Sequence, residues 1–138
     1  MINSFRGEYR WLSNFWLCTI YLDGYSYPST EHAYQAAKTD NPVDRDRIRK
    51  APTCKEAKHL GYLVKLRSDW ESIKLSVMED LLRQKFTDYP DLKQKLLATG
   101  DQELIEGNTW NDTYWGVCNS KGENHLGKLL MKIRAELR

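Results

Sequence analysis

A β-hairpin signal near the N-terminus sets the class of fold that this chain can adopt, since most of the chain after it has helical patterns. Residues 15–22 are rich in aromatic and β-branched side chains, which predicts a strand. Asp23-Gly24 follows directly and is typical of a type I′ turn, and residues 25–27 predict the return strand. We expect Pro28 to end the strand pairing, because proline has no amide donor.

Helices are predicted over most of the remaining chain from capping residues and apolar spacing. The predicted helices cover residues 31–38, 53–61, 69–86, 90–100 and 126–137. Residues 40–52 are polar and predict a surface connection, while residues 103–106 and 114–118 have the pattern of strands. These elements define an α+β fold, in which a small antiparallel sheet is surrounded by several helices.

Length and charge limit the organisation and the partners of the chain. The 138 residues predict a single domain over residues 1–138. Lys and Arg number 21 against 19 Asp and Glu, and the net charge of +2 is too small for a dedicated nucleic-acid binder. Cys18, Cys54 and Cys118 form no CxxC pair, so we expect neither a zinc site nor a disulfide framework.

Targeting signals are not evident in the sequence. The N-terminal residues lack the apolar segment of a signal peptide, and no run approaches the roughly 18 apolar residues of a membrane span. We therefore expect a cytoplasmic protein with no membrane association, no metal and no obligate protein partner.

Aromatic residues are concentrated in the segments that are predicted to form strands and loops. The chain has 5 Trp, 8 Tyr and 3 Phe, and more than half of them lie in residues 1–34. One interpretation is sheet packing, because aromatic side chains suit a pleated, half-buried surface. The other is a stacking pocket for a flat ligand such as a nucleobase.

A lysine interrupts the apolar face of the long predicted helix over residues 69–86. At about 100° per residue, Lys74 lies near the middle of the apolar stripe. The stripe consists of Trp70, Ile73, Val77, Met78, Leu81 and Leu82. The lysine stem can pack while its ammonium reaches water, or burial can lower its pKa and make it a nucleophile or a site cation. Lys85 lies almost as far inside the stripe, so position on the helix alone does not identify a site.

Three polar residues, Glu31, Gln35 and Lys38, recur at helical spacing on the short predicted helix. A carboxylate near a helix N-terminus is also favoured by the helix dipole alone, so Glu31 has a purely structural interpretation. Its position beside Tyr34 and the aromatic hairpin makes it a candidate site residue.

Carboxylates and tryptophans alternate in residues 106–116, which include Glu106, Asp112 and Trp115. Such a loop can bind ribose hydroxyls, or it can stabilise positive charge that develops beside a stacked base. The alternative is a turn in which Asn111 and Asp112 accept hydrogen bonds from their own backbone.

The start of the last helix has the features of an anion site. Asn124 is a natural N-cap residue, Gly127 allows another backbone or a ligand to approach, and Lys128 adds positive charge. Many capped helices bind nothing, so this pattern is weak by itself.

A lysine, two or three carboxylates and several aromatic residues suit cleavage of a glycosidic bond to a nitrogen base. The sugar carbon gains positive charge as the bond breaks, so a nearby carboxylate lowers the barrier. The departing base is planar and can stack on tryptophan. A lysine can protonate the base, or it can attack the sugar carbon and form a Schiff base.

Motifs along nearly the whole chain resemble those of the NADAR (YbiA-like) family. The first are residues 11–15 (WLSNF), 29–38 (STEHAYQAAK) and 67–70 (RSDW), followed by Lys74 and Met78. The others are Thr99-Gly100, Leu104, Glu106, Asp112, Trp115-Gly116 and Asn124, then residues 126–131 (LGKLLM). They occur in the family's order, and their combination is specific although each motif is short.

The resemblance implies a single α+β domain with an N-glycosidase activity that requires no metal or cofactor. The implied substrates are ribosylamino-pyrimidine phosphates of the riboflavin pathway, or ADP-ribose attached to guanine, including guanine in nucleic acid. The implied catalytic residues are Lys74, Glu31 and Asp112. The implied substrate-binding residues are Asn14, Arg67, Trp70, Glu106, Trp115 and Asn124.

A binding module is the competing interpretation of the same residues. An aromatic pocket of this kind can recognise ADP-ribose or another nucleotide without cleaving it, which predicts binding with no release of base. A general nucleic-acid binder is a third class, and the small net charge disfavours it.

Overall fold

The computed structural model describes residues 1–138 and confirms the α+β class, with one two-stranded antiparallel sheet. The elements are a 3-10 helix Gly7–Leu12, strands β1 Leu17–Leu22 and β2 Tyr25–Ser29, and helices α1 Thr30–Ala37, α2 Pro42–Arg49, α3 Cys54–Leu63, α4 Trp70–Asp88, α5 Pro90–Ala98 and α6 His125–Leu137. None of the helices combines the length and the apolar character that crossing a bilayer requires.

The residue contacts divide the chain into two compact units. We call Asn14–Lys85 the hairpin unit, and Met1–Ser13 together with Phe86–Arg138 the terminal unit.

The hairpin forms where it is predicted. Asp23 and Gly24 have φ of 50° and 84°, as a type I′ turn requires, and they join β1 to β2. The prediction for Pro28 is wrong, because pairing continues to Leu17 opposite Ser29. Both strands of a two-stranded sheet are edges, and the register is irregular between Leu17 and Ile20, so an absent donor at Pro28 is tolerated.

Side-chain caps begin α1 and α3. The Ser29 hydroxyl accepts from the His32 amide at 3.1 Å and begins α1. The Thr53 hydroxyl accepts from the Glu56 amide at 3.1 Å, which confirms the predicted start of α3. Helix α3 runs on to Leu63 instead of ending at residue 61 as predicted, because glycine weakens a helix without ending it.

Residues 40–52, predicted as a surface connection, contain the helix α2, which the sequence did not predict. The Asn41 carboxamide oxygen accepts from the amides of Val43 and Asp44 at 2.9 and 3.1 Å, and Pro42 occupies the first helical turn. The Asp46–Lys50 ion pair at 2.8 Å adds an i,i+4 contact. Local capping and charge pairing therefore form a helix that has almost no apolar face.

The two strands predicted in the terminal unit are also absent. Residues 103–106 and 114–118 contribute only isolated bridges, among them Ile2 with Leu104 and Gly107 with Val117. Their backbone groups bond mainly to side chains and to single backbone partners rather than to a ladder. Helices α5 and α6 form as predicted, and the apolar face of α6 is buried through Leu126, Leu130 and Ile133.

Candidate active site

A buried carboxylate lies near the start of α1, in the hairpin unit. Glu31 is 8% exposed, and its Oε1 accepts a hydrogen bond from Nε2 of Gln35 at 2.8 Å. Its backbone amide donates to the carbonyl of Asn14 at 3.1 Å. The structure thus brings together two predicted site residues, Glu31 and Asn14, and adds Gln35 as a direct partner of the carboxylate.

Asn14 is itself buried, and its side chain has an unusual set of partners. Its Nδ2 donates to the sulfur of Met78 at 3.5 Å, which is a weak acceptor. Its Oδ1 is buried with no hydrogen-bond partner. A buried amide oxygen without a donor is costly for stability, so its retention is typical of a group with a functional role.

Lysines gather around the end of α1. Burial lowers the pKa of Lys38, the negative charge of Glu31 opposes that change, and the positive charges of Lys58 and Lys74 lower it further. Glu31, Lys38 and Lys74 therefore belong to one electrostatic neighbourhood. The sequence placed Lys38 on the polar stripe of α1, but only the structure shows that it interacts with the predicted catalytic pair.

Aromatic rings line the same neighbourhood. The Lys38 ammonium lies 5.7 Å from the ring centre of Tyr34 and 5.9 Å from that of Tyr62. Tyr34 in turn packs against Trp70, with ring centres 5.2 Å apart. Trp70 is only 4% exposed, so it supports Tyr34 from within the core.

Lys74 occupies the first turns of α4. Its side chain is 20% exposed, and its Nζ lies 2.7 Å from the carboxylate of the well-exposed Glu71. The stem is therefore packed while the ammonium reaches the surface. This position fits both interpretations of the sequence pattern, a snorkelling lysine and a site cation.

Arg67 connects to α1 through its backbone. Its amide donates to the carbonyl of Lys38 at 2.8 Å. Its guanidinium pairs with Asp69 at 2.6 Å and with Asp40 at 3.5 Å, and these two ion pairs orient the side chain.

The loop over residues 106–116, in the terminal unit, is organised by Asn108, which sequence reasoning missed. The side-chain Nδ2 of Asn108 donates to Oε2 of Glu106 at 3.0 Å and to the backbone carbonyl of Asp112 at 2.9 Å. The side-chain Oδ1 of Asn108 accepts from the backbone amide of Asp112 at 3.1 Å. An asparagine between two carboxylates was the available signal in the sequence.

Asp112 has the turn geometry that was the alternative interpretation of this loop. Its Oδ1 accepts from the amides of Tyr114 at 3.1 Å and Trp115 at 2.9 Å. These bonds orient the half-buried carboxylate and fix the backbone of Trp115. The Trp115 ring packs edge-on against Tyr114 at 4.9 Å, and Tyr114 packs against His125 at 4.5 Å.

Asn124 precedes α6 as predicted, but the prediction that its side chain caps the helix is wrong. Its backbone is left-handed, with φ of 53°, and no side-chain cap bond forms. Instead, Oδ1 accepts from the Glu106 amide at 3.0 Å and Nδ2 donates to the Leu104 carbonyl at 2.9 Å. The prediction for Gly127 is confirmed, because an added Cβ would lie 2.0 Å from the Leu104 carbonyl oxygen.

The nine predicted site residues thus form two groups, one in each unit. The hairpin unit holds Asn14, Glu31, Arg67, Trp70 and Lys74, and the terminal unit holds Glu106, Asp112, Trp115 and Asn124. The first group offers a buried carboxylate, cations and an aromatic wall, and the second offers oriented carboxylates beside an aromatic cluster. Such groups suit reactions in which positive charge develops on a sugar carbon. No three His, Cys, Asp or Glu side chains are arranged to hold a metal ion.

Comparison with known proteins identifies the class. The sequence profile of the NADAR domain matches residues 3–138, so the chain belongs to the NADAR family, as its motifs predict. N-glycosidase YbiA of Shigella boydii is 41% identical over 133 residues, covering 94% of this chain and 82% of that protein. The NMR structure of YbiA from E. coli superposes with a TM-score of 0.85 at 37% identity, covering 99% of this chain and 86% of that chain.

A relative with a different name also matches. The Riboflavin biosynthesis protein VVA0006 of Vibrio vulnificus is 39% identical over 129 residues, which cover 91% of this chain but 35% of that protein. The chain therefore belongs to a family whose members include proteins named as N-glycosidases and segments of proteins named for riboflavin biosynthesis.

Proposed function

We propose that this protein is an N-glycosidase that hydrolyses the bond between a ribose and a nitrogen base or amine. The observation that carries the proposal is the buried Glu31 carboxylate, bonded to Gln35 and sharing one electrostatic neighbourhood with Lys38 and Lys74. The names of its relatives support the same class of reaction.

The chemistry follows from the charge that develops during bond cleavage. As the bond between C1′ and nitrogen breaks, its electron pair leaves with the base and C1′ becomes positively charged. The buried Glu31 carboxylate stabilises that charge. Lys74 either protonates the leaving nitrogen or attacks the sugar carbon to give a Schiff base, and water then restores the free sugar.

The other predicted residues bind the substrate in this proposal. Within the hairpin unit, Asn14 binds a sugar hydroxyl, Arg67 positions the sugar or its phosphate, and Trp70 supports the Tyr34 ring. For the terminal unit, substrate binding by Glu106, Trp115 and Asn124 and a catalytic role of Asp112 stay predictions from the family resemblance. Two substrate classes remain: a ribosylamino-pyrimidine phosphate, and ADP-ribose attached to guanine as a free compound or in nucleic acid. The name of the Vibrio relative favours the first class. The three cysteines form no disulfide, which agrees with action in a reducing compartment such as the cytoplasm.

Free base released from both substrate classes, separated by chromatography, tests the proposal. We expect Lys74→Ala to lower the rate of base release by about 10²–10⁴-fold, the usual contribution of a positioned proton donor. Lys95→Ala, at an exposed position of α5, is the matched control and should retain the rate within about two-fold. Lys38→Ala is the comparison within the site.

Each outcome assigns a role. Full activity in Lys74→Ala with loss in Lys38→Ala would transfer the lysine's role to Lys38. Borohydride trapping during turnover distinguishes a sugar adduct on Lys74 from simple proton donation. Tight binding of either substrate with no base released would contradict the enzyme and support the nucleotide-binding module.

A further inference from the structure

Gln35 donates a buried hydrogen bond to the Glu31 carboxylate. The two residues are i and i+4 on α1, which places their side chains on one face of the helix. Gln35 is 4% exposed, and its Nε2 lies 2.8 Å from Oε1 of Glu31. A hydrogen bond donated to a carboxylate favours its charged form.

The other end of the Gln35 amide has no partner. Its Oε1 is buried and accepts no hydrogen bond. Turning the amide over would place that oxygen against the Glu31 carboxylate, and two acceptors would then repel each other. The amide therefore keeps its donor on Glu31 and leaves its own oxygen unsatisfied, which is a cost to stability that an apolar side chain would avoid.

Gly61 of α3 closes the space behind this amide. A Cβ added at Gly61 would lie 1.9 Å from Oε1 of Gln35 and 2.7 Å from its Cδ. Only glycine lets α3 approach so closely, although glycine weakens a helix interior. The packing of α3 thus prevents Gln35 from withdrawing from Glu31.

Other charged and titratable groups surround this contact. The structure gives interactions of Glu31 with Lys38, which directly follows α1, and with the Cys54 thiol of α3. Lys58 of α3 and Lys74 of α4 act on Lys38. His32 is directed to Ser29 and Ala51, while Arg45 and Arg49 of α2 act on Tyr27 of β2.

We infer that Gln35 is a positioning residue that keeps the Glu31 carboxylate ionised and fixes its orientation, and that Gly61 holds Gln35 in place. The inference rests on the proposed function only for its consequence in catalysis, because the contact itself can be tested without substrate. Gln35 acts through Glu31 and makes no contact with the reacting atoms in this scheme.

Titration of the Glu31 side-chain carboxyl by carbon NMR tests the inference directly. In Gln35→Leu the titration midpoint should move to higher pH by about one pH unit, the effect of losing one hydrogen bond to a charged group. Thr30→Val is the matched control, because the Thr30 hydroxyl is also buried on α1 but has no hydrogen-bond partner. In Thr30→Val the Glu31 titration midpoint should stay at the wild-type value.

A second variant and the pH profile complete the experiment. Gly61→Ala displaces Gln35 without removing it, so the Glu31 titration midpoint in Gly61→Ala should also move to higher pH. This variant tests the inference even if Gln35→Leu does not fold. In Gln35→Leu, kcat should fall about ten-fold with KM unchanged within two-fold, and the acid limb of kcat should move with the midpoint.

The experiment distinguishes failure of the Gln35 inference from failure of the proposed function. An unmoved Glu31 midpoint in both Gln35→Leu and Gly61→Ala would overturn the inference while leaving the proposed function intact. If the midpoint moved in both variants but the wild-type protein released no base, the proposed function would be overturned and the Gln35 contact would be established.

Discussion

Lys85 is the most deeply buried charged side chain of the hairpin unit. It is 0% exposed on α4, and burial lowers its pKa to about 8, with a smaller opposing effect of the Cys18 thiol. An ammonium group in an apolar interior is costly, so this lysine holds its proton less firmly than an exposed one.

Replacing Lys85 with methionine should stabilise the protein at neutral pH. The unfolded lysine has a pKa of about 10.4, so the lowered value in the folded state costs about 3 kcal/mol below pH 8. We expect Lys85→Met to be more stable than wild type by about 2 kcal/mol at pH 7, less than the full cost because the substitution also removes the interactions of the ammonium group. Urea unfolding measures the difference.

The pH dependence of the stability difference between Lys85→Met and wild type identifies its cause. Between about pH 8 and 10 the folded wild type releases its proton before the unfolded chain does, so its stability rises with pH and the advantage of Lys85→Met shrinks. The exposed Lys95→Met should show no such change. An advantage that is equal at pH 7 and pH 9.5 would contradict a buried, charged lysine as its source.

At the scale of elements, the start of α1 depends on a buried histidine. His32 Nδ1 lies 2.7 Å from the Ser29 hydroxyl, and Nε2 lies 3.0 Å from the Ala51 carbonyl. Burial lowers the pKa of His32, and the bond to Ala51 opposes this effect. The neutral ring thus ties the first turn of α1 to the segment between α2 and α3.

Acid should weaken this connection. Because the folded-state pKa of His32 lies below 6.5, the unfolded chain takes up a proton first, and the stability that the neutral ring provides is lost as the pH falls below about 6.5. His32→Gln should be less stable than wild type by about 1–2 kcal/mol at pH 7.5. It should lose less stability than wild type between pH 7.5 and 5.

Thermal unfolding at the two pH values measures both effects. His59→Gln, at an exposed position of α3, is the matched control and should follow wild type. If His32→Gln lost as much stability on acidification as wild type does, another group would be responsible for the acid sensitivity.

The elements that sequence reasoning predicted correctly are those encoded by neighbouring residues. The Asp23-Gly24 turn and the Thr53 cap act over two to four residues, so their signals are present in the sequence itself. Helix α2 was missed because only Ile48 is buried on it, and the periodicity that indicates a helix was therefore absent. Residues 103–106 and 114–118 were predicted as strands because their pattern cannot show whether a partner strand exists.

The candidate site shows the same limit over longer distances. Helical periodicity placed Lys74 and Lys85 on one apolar stripe, but only the fold shows that the first reaches the surface and the second is covered. Gln35 and Gly61 are 26 positions apart, and no local pattern joins them. The family motifs supplied the residue types of the site, whereas the hydrogen bonds that orient them required the structure.

At the scale of the whole molecule, the chain has the length of one domain but two compact units. The hairpin unit is one continuous segment, whereas the terminal unit joins Met1–Ser13 to Phe86–Arg138. Forming the terminal unit therefore closes a loop that contains the entire hairpin unit. Loop closure costs less entropy when the intervening chain is already compact, so folding of the hairpin unit favours folding of the terminal unit.

This connectivity predicts one cooperative unfolding transition. Leu82→Ala in the hairpin unit and Leu130→Ala in the terminal unit each remove a fully buried side chain, and each should lower the free energy of unfolding by about 2–5 kcal/mol. Leu66→Ala, at an exposed position, is the control. Far-ultraviolet circular dichroism and tryptophan fluorescence follow the unfolding, since each unit contains tryptophan.

In either core variant, we expect both signals to shift together to the same new midpoint. Amide hydrogen exchange should then give the slowest-exchanging amides of both units one common free energy of opening, which either substitution lowers. If Leu82→Ala lowered that value in the hairpin unit while leaving the terminal unit at the wild-type value, the two units would be independent folding units. The prediction of a single domain over residues 1–138 would then be wrong, and the discontinuous terminal unit would have to close its loop around an unfolded segment.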